Sequence, residues 1–245
     1  YDYNCIIDSR KRDFDIILQL GYTSNSIWFF LMPKKAINII NMDGLEWKRS
    51  KYSWPVQQFL KVAEWLAAKS GDYLVADSLG IQSFLMKTYK KESTYIAYGA
   101  HLFDTPNENI LQEYQVEKGN YNMVMARFEP ENNLDMVLEG VALNNEDQTP
   151  ILVIGKHETK YGAYLKNKFK SHENIRFMGG IYNLEHLNNL RYYSKLYFHG
   201  HSVGGTNPSL LEAMASQALI VAHNNDFNKG ILKGNALYFR NPIEV

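Results

Sequence analysis

The stretch "KLYFHGHSVGGTNPSLLEAMAS", residues 195–216, decides the fold. "KLYFHG" is a nearly continuous apolar run, as expected of a parallel strand buried on both faces. "PSLLEAMAS" has helical spacing, with Asn207 as a fitting N-cap and Pro208 at the first helical position, where its missing N–H costs nothing. Between the two lie Gly204 and Gly205, which admit positive φ and let a ligand approach the backbone closely. A strand, a glycine turn and a helix start together present N–H groups at the positive end of a helix, a ready place for an anion. Glu212 follows Asn207 by about one and a half helical turns, within reach of a sugar hydroxyl beside such an anion. The plainer reading is that the glycines only make the turn and Glu212 is solvated. On these residues alone both readings stand.

Outward from this unit the same grammar repeats. Strand-like runs lie at residues 15–21, 36–42, 73–78 and 94–99, then at 122–128, 151–156, 174–180, 195–200 and 218–223. Amphipathic segments such as "WPVQQFLKVAEWLAAKSG" and "ENNLDMVLEGVALNN" separate them. Alternating βαβα with central parallel sheets is the α/β class. Residues 99–121 are polar, lack sustained periodicity and carry Pro106 and Gly119, which marks a boundary. Ligands in open α/β sheets bind beyond the carboxyl ends of the strands, so the loops there hold the candidate site.

Composition narrows the function. The 26 basic and 26 acidic side chains cancel, so no general polyanion-binding surface is implied and nucleic acid is not an expected partner. The single cysteine, Cys5, suits a reducing cytosol. No apolar run approaches the roughly 20 residues that span a bilayer, and no signal peptide opens the chain, so a cytoplasmic location is expected. The chain does not begin with methionine, and a preceding segment of a longer protein is expected.

Arg127 ends the strand "NMVMARF", where a guanidinium can fork onto a diphosphate; a surface ion pair with Glu129 or Glu131 is the competing reading. "NMDGLEWKRSKYS" places Asp43, Glu46, Lys48, Arg49 and Lys51 after another strand. From Lys34 to Lys61 there are six basic residues against two acidic, with Trp47, Tyr52 and Trp54 interleaved. That segment could meet an acidic membrane surface or an anionic acceptor, or be a solvated helix start with aromatic packing. His199 and His201 would point to opposite sides if the strand continued, and no cysteine or acidic pair completes a ligand set, so no metal is expected there. His201 is instead a candidate donor to a phosphate or sugar oxygen. Asp13-Phe14-Asp15 has the spacing of a cation-binding motif but sits at the wrong end of its strand.

"HSVGGTNPSLLEAMAS", "ARFEPENN", "NIRFMGGIY" and "NMDGLEWKRSKYS" together resemble glycosyltransferase family 4, and within it a bacterial rhamnosyltransferase-like branch that builds cell-surface polysaccharides. The resemblance covers nearly the whole chain. It implies the GT-B fold, two Rossmann-like parallel-sheet domains with the active site in the cleft between them. It also implies sugar transfer from a nucleotide donor with retention, without metal or cofactor. The first choice of donor is dTDP-rhamnose, with a glycan or lipid-linked acceptor and peripheral contact at the inner face of the cell membrane. The alternatives are a UDP-hexose donor or a non-catalytic nucleotide-sugar-binding protein.

By the same resemblance Glu212 holds the ribose, while Arg127 and the backbone N–H groups of Gly205, Thr206, Asn207 and Ser209 hold the diphosphate. Gly179, in the turn at residues 176–180, borders the base, and Asp43 and His201 contact the sugar or acceptor. Asp43, His201, Arg127 and Glu212 are thus the expected catalytic set. Two positions depart from the family: Gly204 stands where a glutamate is usual, and Asn132 and Asn133 where a lysine is usual. Family members begin with a strand and glycine-rich loop not found here. The expected organisation is an incomplete N-terminal domain over residues 1–104, a linker over 105–120, and a nucleotide-sugar-binding domain over 121–245 that lacks its end.

Overall fold

Four short parallel strands organise the first part of the chain. The computed structural model describes residues 1–144, 146–203 and 205–245, grouped in two units. The first unit is Tyr1–Tyr98 with Val203–Thr206. It runs α1 (Asp2–Ser9), β1 (Ile16–Gln19), a 3-10 helix (Ser26–Leu31), β2 (Ile37–Asn41), α2 (Trp54–Ser70), β3 (Tyr73–Ala76), α3 (Leu79–Tyr89) and β4 (Thr94–Tyr95). The strands lie in the order β1-β2-β3-β4, all parallel. α2 starts after Ser53 with proline in its first turn and buries Leu60, Ala63 and Ala67 on one stripe. Ser78 caps α3 by accepting from the Ile81 N–H. The strand expected over 94–99 is only two residues long in the structure.

The second unit is Gly99–Ser202 with Asn207–Val245. It contains β5 (Asn122–Met125), α4 (Leu134–Leu143), β6 (Ile151–Ile154), α5 (Lys160–Lys168), β7 (Ile175–Gly179) and α6 (Leu184–Tyr193). It continues with β8 (Leu196–His199), α7 (Pro208–Ala215), β9 (Ile220–His223), α8 (Asp226–Leu232) and β10 (Leu237–Phe239). The parallel order is β10-β9-β8-β5-β6-β7. Counted within the unit, that places the first strand beside the fourth and reverses the winding there, the doubly wound Rossmann order.

Alternation along the strands explains the two covered faces. Met123, Leu152, Tyr197 and Ile220 meet Leu187 and Leu190 of α6, Leu210 of α7 and Leu232 of α8. Val124, Val153, Phe198 and Val221 point the other way, to Leu134, Val137 and Leu138 of α4 and Leu165 of α5. Each such side chain contributes about 1.5–3 kcal/mol when fully buried. These strands are therefore nearly continuous apolar runs, with Asn122, His199 and His223 at their ends, as the sequence indicated. Within residues 105–120 the structure holds a 3-10 helix (Glu108–Tyr114), whose Ile110 and Leu111 are buried and which packs on α6. β10, three residues long, was not expected from the sequence.

Candidate functional site

In the second unit the site begins where β5 and β8 lie side by side. They pair in parallel although residue 122 is matched to residue 196, and the crevice beyond such a reversal is where open parallel sheets lodge ligands. The loops leaving the two strands are fastened to each other. Asn132 donates its amide to the Arg127 carbonyl at 2.8 Å, and Asn133 donates to the Gly200 carbonyl at 2.7 Å. The backbone N–H and hydroxyl of Ser202 both donate to the Glu131 carbonyl. A Cβ on Gly200 would stand 2.2 Å from the Asn132 carbonyl, so glycine is required for this approach. The two asparagines in place of the usual lysine thus act as loop braces.

Arg127, just past β5, keeps an exposed guanidinium 3.7 Å from a Glu129 oxygen. The competing ion pair is therefore present, but loosely. His201 is held by its carbonyl, which accepts from Asn225 and Asn228 at 3.0 and 3.1 Å. Its ring stacks on that of His199, with centroids 4.4 Å apart and planes at 15°. The two histidines therefore share a side, against the alternation expected from an extended strand. β8 ends at His199, and beyond a strand end the period of two no longer applies. His199 is 1% exposed, and neither ring nitrogen has a hydrogen-bond partner among the described residues. Burial, with His201 beside it, holds that ring well below its ordinary pKa, in the neutral form. Among the described residues no group of three or more His, Cys, Asp or Glu is placed to hold a metal.

On α7, Asn207 caps the helix by accepting from both the N–H and the hydroxyl of Ser209. Glu212 lies one turn further on and is not simply solvated. Its Oε2 accepts from Nη2 of Arg191 at 2.5 Å, and Arg191 is 0% exposed. The same Nη2 reaches the Met125 sulfur at the end of β5, while Nη1 donates to Asn188. Arg191 so fixes the Glu212 carboxylate toward the β5 terminus. The sequence offers one signal for it: an arginine on the apolar stripe of α6, one residue after the buried Leu190 and four after Leu187. Gly179 ends β7 with φ +77 and stands apart from these groups. β6 lies between β7 and β5, a separation of about 10 Å at ordinary strand spacing.

The first unit carries its own cluster. Asp43 follows β2 and Asp77 follows β3, at the carboxyl ends of neighbouring parallel strands. Burial, then the charges of Glu46 and Asp77, push the half-buried Asp43 up to about 6. Asp77 is 1% exposed, and burial raises it too. Its Oδ2 accepts from the Thr206 N–H at 2.8 Å and its carbonyl accepts from the Thr206 hydroxyl at 2.9 Å. A Cβ on Gly205 would collide with the same carboxylate. Gly204, the position of the missing glutamate, lies outside the described residues.

The Asp43 loop is set by a buried network. Tyr22 donates to the Gly44 carbonyl at 2.6 Å and accepts from the Glu46 N–H at 3.1 Å. Its oxygen also lies 3.1 Å from Glu64 Oε2, while Trp47 and Tyr89 donate to the two oxygens of that carboxyl group. Tyr22 has one proton, taken by the shorter contact. The Glu64 contact is then satisfied when that carboxyl is itself protonated, the direction in which burial pushes it. Asp77, Arg191, Glu64 and Tyr22 were all missed in the sequence. Only Asp77, an acid directly after an apolar strand run as Asp43 is, carried a visible cue.

Two family models match the chain: glycosyl transferases group 1 over residues 107–239, and a domain of unknown function (DUF1972) over residues 31–101. No curated protein sequence matches it. Among solved structures it is similar to Anabaena HepE in complex with UDP-glucose, with a TM-score of 0.81 at 15% identity over 99% of this chain and 69% of that one. It is also similar to a glycosyltransferase from Rickettsia africae, with a TM-score of 0.76 at 12% identity over 99% and 67%. Sucrose-phosphate synthase from Thermosynechococcus elongatus gives 0.73 at 14% identity over 91% and 60%. At these identities the likeness shows the fold, mixed α/β in two Rossmann-like halves of the GT-B kind.

Proposed function

The chain belongs to the glycosyl transferases group 1 family, and from that premise we propose that it is a retaining, metal-independent glycosyltransferase. It moves rhamnose from dTDP-rhamnose to a glycan or lipid-linked acceptor in cell-surface polysaccharide synthesis. The observation that carries the reading is the anchoring of Glu212 by the buried Arg191 beside the end of β5. A carboxylate fixed in this way is preorganised to accept from two ribose hydroxyls.

Departure of the nucleoside diphosphate is the demanding step, and donors aimed in advance at the developing charge usually do most to speed it. Arg127 is suited to it on magnitudes. Its exposed pair with Glu129 contributes at most about 1 kcal/mol, whereas each charge-assisted bond to a diphosphate contributes about 1.5–3 kcal/mol. The amides of Thr206 and Ser209 already hold oxygen acceptors, on Asp77 and Asn207 respectively. They are aimed donors, and a phosphate oxygen would take the same place. Asp43 and His201 contact the sugar or acceptor, and Gly179 leaves room for the base. No protein nucleophile is involved: the acceptor attacks from the face the diphosphate leaves, and a phosphate oxygen takes its proton. UDP-glucose in the HepE structure favours a UDP-hexose donor as the second reading.

A thermal-shift series with dTDP-rhamnose, dTDP, UDP-glucose and UDP tests both. A ligand at about a hundredfold its dissociation constant adds about 2.7 kcal/mol of stability, and the nucleotide that does so identifies the donor class. Arg127→Ala, on an exposed side chain, is expected to melt like the parent while losing that shift and the transfer activity. An unchanged shift and unchanged transfer in Arg127→Ala overturn the assignment.

A further inference from the structure

Two amides of "GTNPS", residues 205–209, are already bonded, and their acceptors differ in kind. Ser209 donates to Asn207, two positions away, in an ordinary helix cap. Thr206 donates instead to a side chain 129 positions away, Oδ2 of Asp77, at 2.8 Å. Asp77 is 1% exposed and follows β3 in the first unit, to which Val203–Thr206 also belong. A side chain that only braces a loop has no need of charge, since an amide or hydroxyl oxygen also accepts from an N–H.

The place is a poor permanent seat for a carboxylate. Burial disfavours its charge, and that charge in turn helps to raise Asp43. Yet the place is shaped for an oxyanion. Gly205 has no side chain, and a Cβ there would collide with both carboxylate oxygens. A carboxylate and a phosphate group present their oxygens to an N–H in much the same way. The Thr206 hydroxyl is bonded separately, to the Asp77 main-chain carbonyl at 2.9 Å. That bond does not involve the carboxylate. The Asp77 side chain can therefore turn away while Thr206 stays tied to the end of β3.

We propose that the Asp77 carboxylate is an internal stand-in for the donor's diphosphate: it occupies the Thr206 amide in the free chain and is displaced when a phosphate oxygen binds there. The inference rests on the transfer reading, because it takes Thr206 as a diphosphate donor, but not on which sugar or base is carried. Two anions on one N–H repel each other strongly where water is scarce. Binding therefore requires release of Asp77, and only the fraction of chains with a free amide is competent, which weakens the apparent affinity. A tethered carboxylate is present at high effective concentration, so free monocarboxylates lose the exchange. A diphosphate brings more charge and more acceptor oxygens, and wins it.

Calorimetric titration with inorganic pyrophosphate, dTDP and UDP tests it. Asp77→Asn keeps the size of the side chain and an oxygen for the Thr206 N–H but removes the charge. It is expected to bind pyrophosphate about tenfold more tightly than the parent. Asp77→Ala, which removes the acceptor too, is expected to gain at least as much. In the isotope-labelled parent, the Thr206 amide signal is expected to move as pyrophosphate replaces the carboxylate. A loop brace gives the opposite sign: weaker binding in Asp77→Ala, restored to the parental value in Asp77→Asn, overturns the proposal. Equal affinity in the parent and Asp77→Asn, with a parental melt, overturns it as well, as does a Thr206 signal that pyrophosphate leaves unmoved. Should Asp77→Ala fail to fold, Asp77→Asn decides alone. Absence of pyrophosphate and nucleotide binding in parent and variants alike rejects the transfer reading itself, and this inference with it.

Discussion

A buried ionisable side chain holds a loop or a neighbouring side chain in both units, but the two arrangements differ in kind. In the second unit the buried Arg191 cation grips the Glu212 carboxylate, which is 35% exposed, so a formal ion pair reaches from the core to the site. In the first unit the buried group is an acid, Glu64, surrounded by two phenols and an indole, with no cation in hydrogen-bond contact among the described residues. The first device cannot lose one partner without leaving an uncompensated charge in a dry interior. The second tolerates loss more easily, because its carboxyl can take a proton. An ion pair is thus the stiffer anchor and the riskier one; a network gathered around a single buried acid is softer and can be trimmed.

The sharpest break of this contrast is Glu212→Ala. It leaves the buried Arg191 guanidinium beside Asn188, the Met125 sulfur and Tyr197 without the Glu212 carboxylate, and is expected to cost about 3 kcal/mol in a denaturant titration. A cost under about 1 kcal/mol would mean the pair is not an anchor. Glu212→Ala therefore mixes folding with function, and nucleotide binding is better read in Arg127→Ala. Next comes Gly200→Ala, whose Cβ would press on the Asn132 backbone. It is expected to cost about 2 kcal/mol by chemical denaturation, with no change at the first unit.

Tyr22→Phe cuts the softer device where it meets Gly44 and Glu46, and about 1–2 kcal/mol is expected. Transfer kinetics should show a lower kcat with little change in donor KM, because the Asp43 loop loosens while the nucleotide site does not. The smallest effect has the opposite sign. Asp43 is raised from the ordinary 3.8 to about 6, so the folded chain binds its proton more tightly than the unfolded chain. Its contribution to stability is greatest below about pH 4, falls as pH rises to about 6 and stays lost above that. Asp43→Asn should accordingly stabilise the chain at pH 7 by about 1 kcal/mol, screening by solvent included, and remove that slope. A melt series between pH 4 and 7 with no difference between parent and variant would falsify the shift.

Much of the fold was legible because its signals are local. Apolar runs such as "ILVI" declare strands buried on both faces, and Asn207-Pro208 declares a helix start, whatever lies around them. The site was legible only in part. Arg127, Glu212 and Asp43 stand directly after strands or inside a quoted motif. Arg191 meets Glu212 across 21 positions, and Tyr22 meets Glu64 across 42, distances over which no periodicity operates. The 3-10 helix (Glu108–Tyr114) was hidden for a related reason. It buries two side chains and shows polar ones elsewhere, too short a pattern to stand out.

The sequence by itself determined the α/β alternation, the strand ends that carry the candidate residues, the capped start of α7 and the likeness to a sugar-transferring family. Those properties live in side-chain period and turn chemistry, which neighbouring residues settle among themselves. The tertiary structure alone decided that β5 lies beside β8, that His199 and His201 share a side, that Asp77 takes the Thr206 amide and that Glu212 is gripped by a buried arginine. A strand buried on both faces looks the same whichever strand it pairs with, and the strength of a charge contact depends on burial, which only the packed chain has.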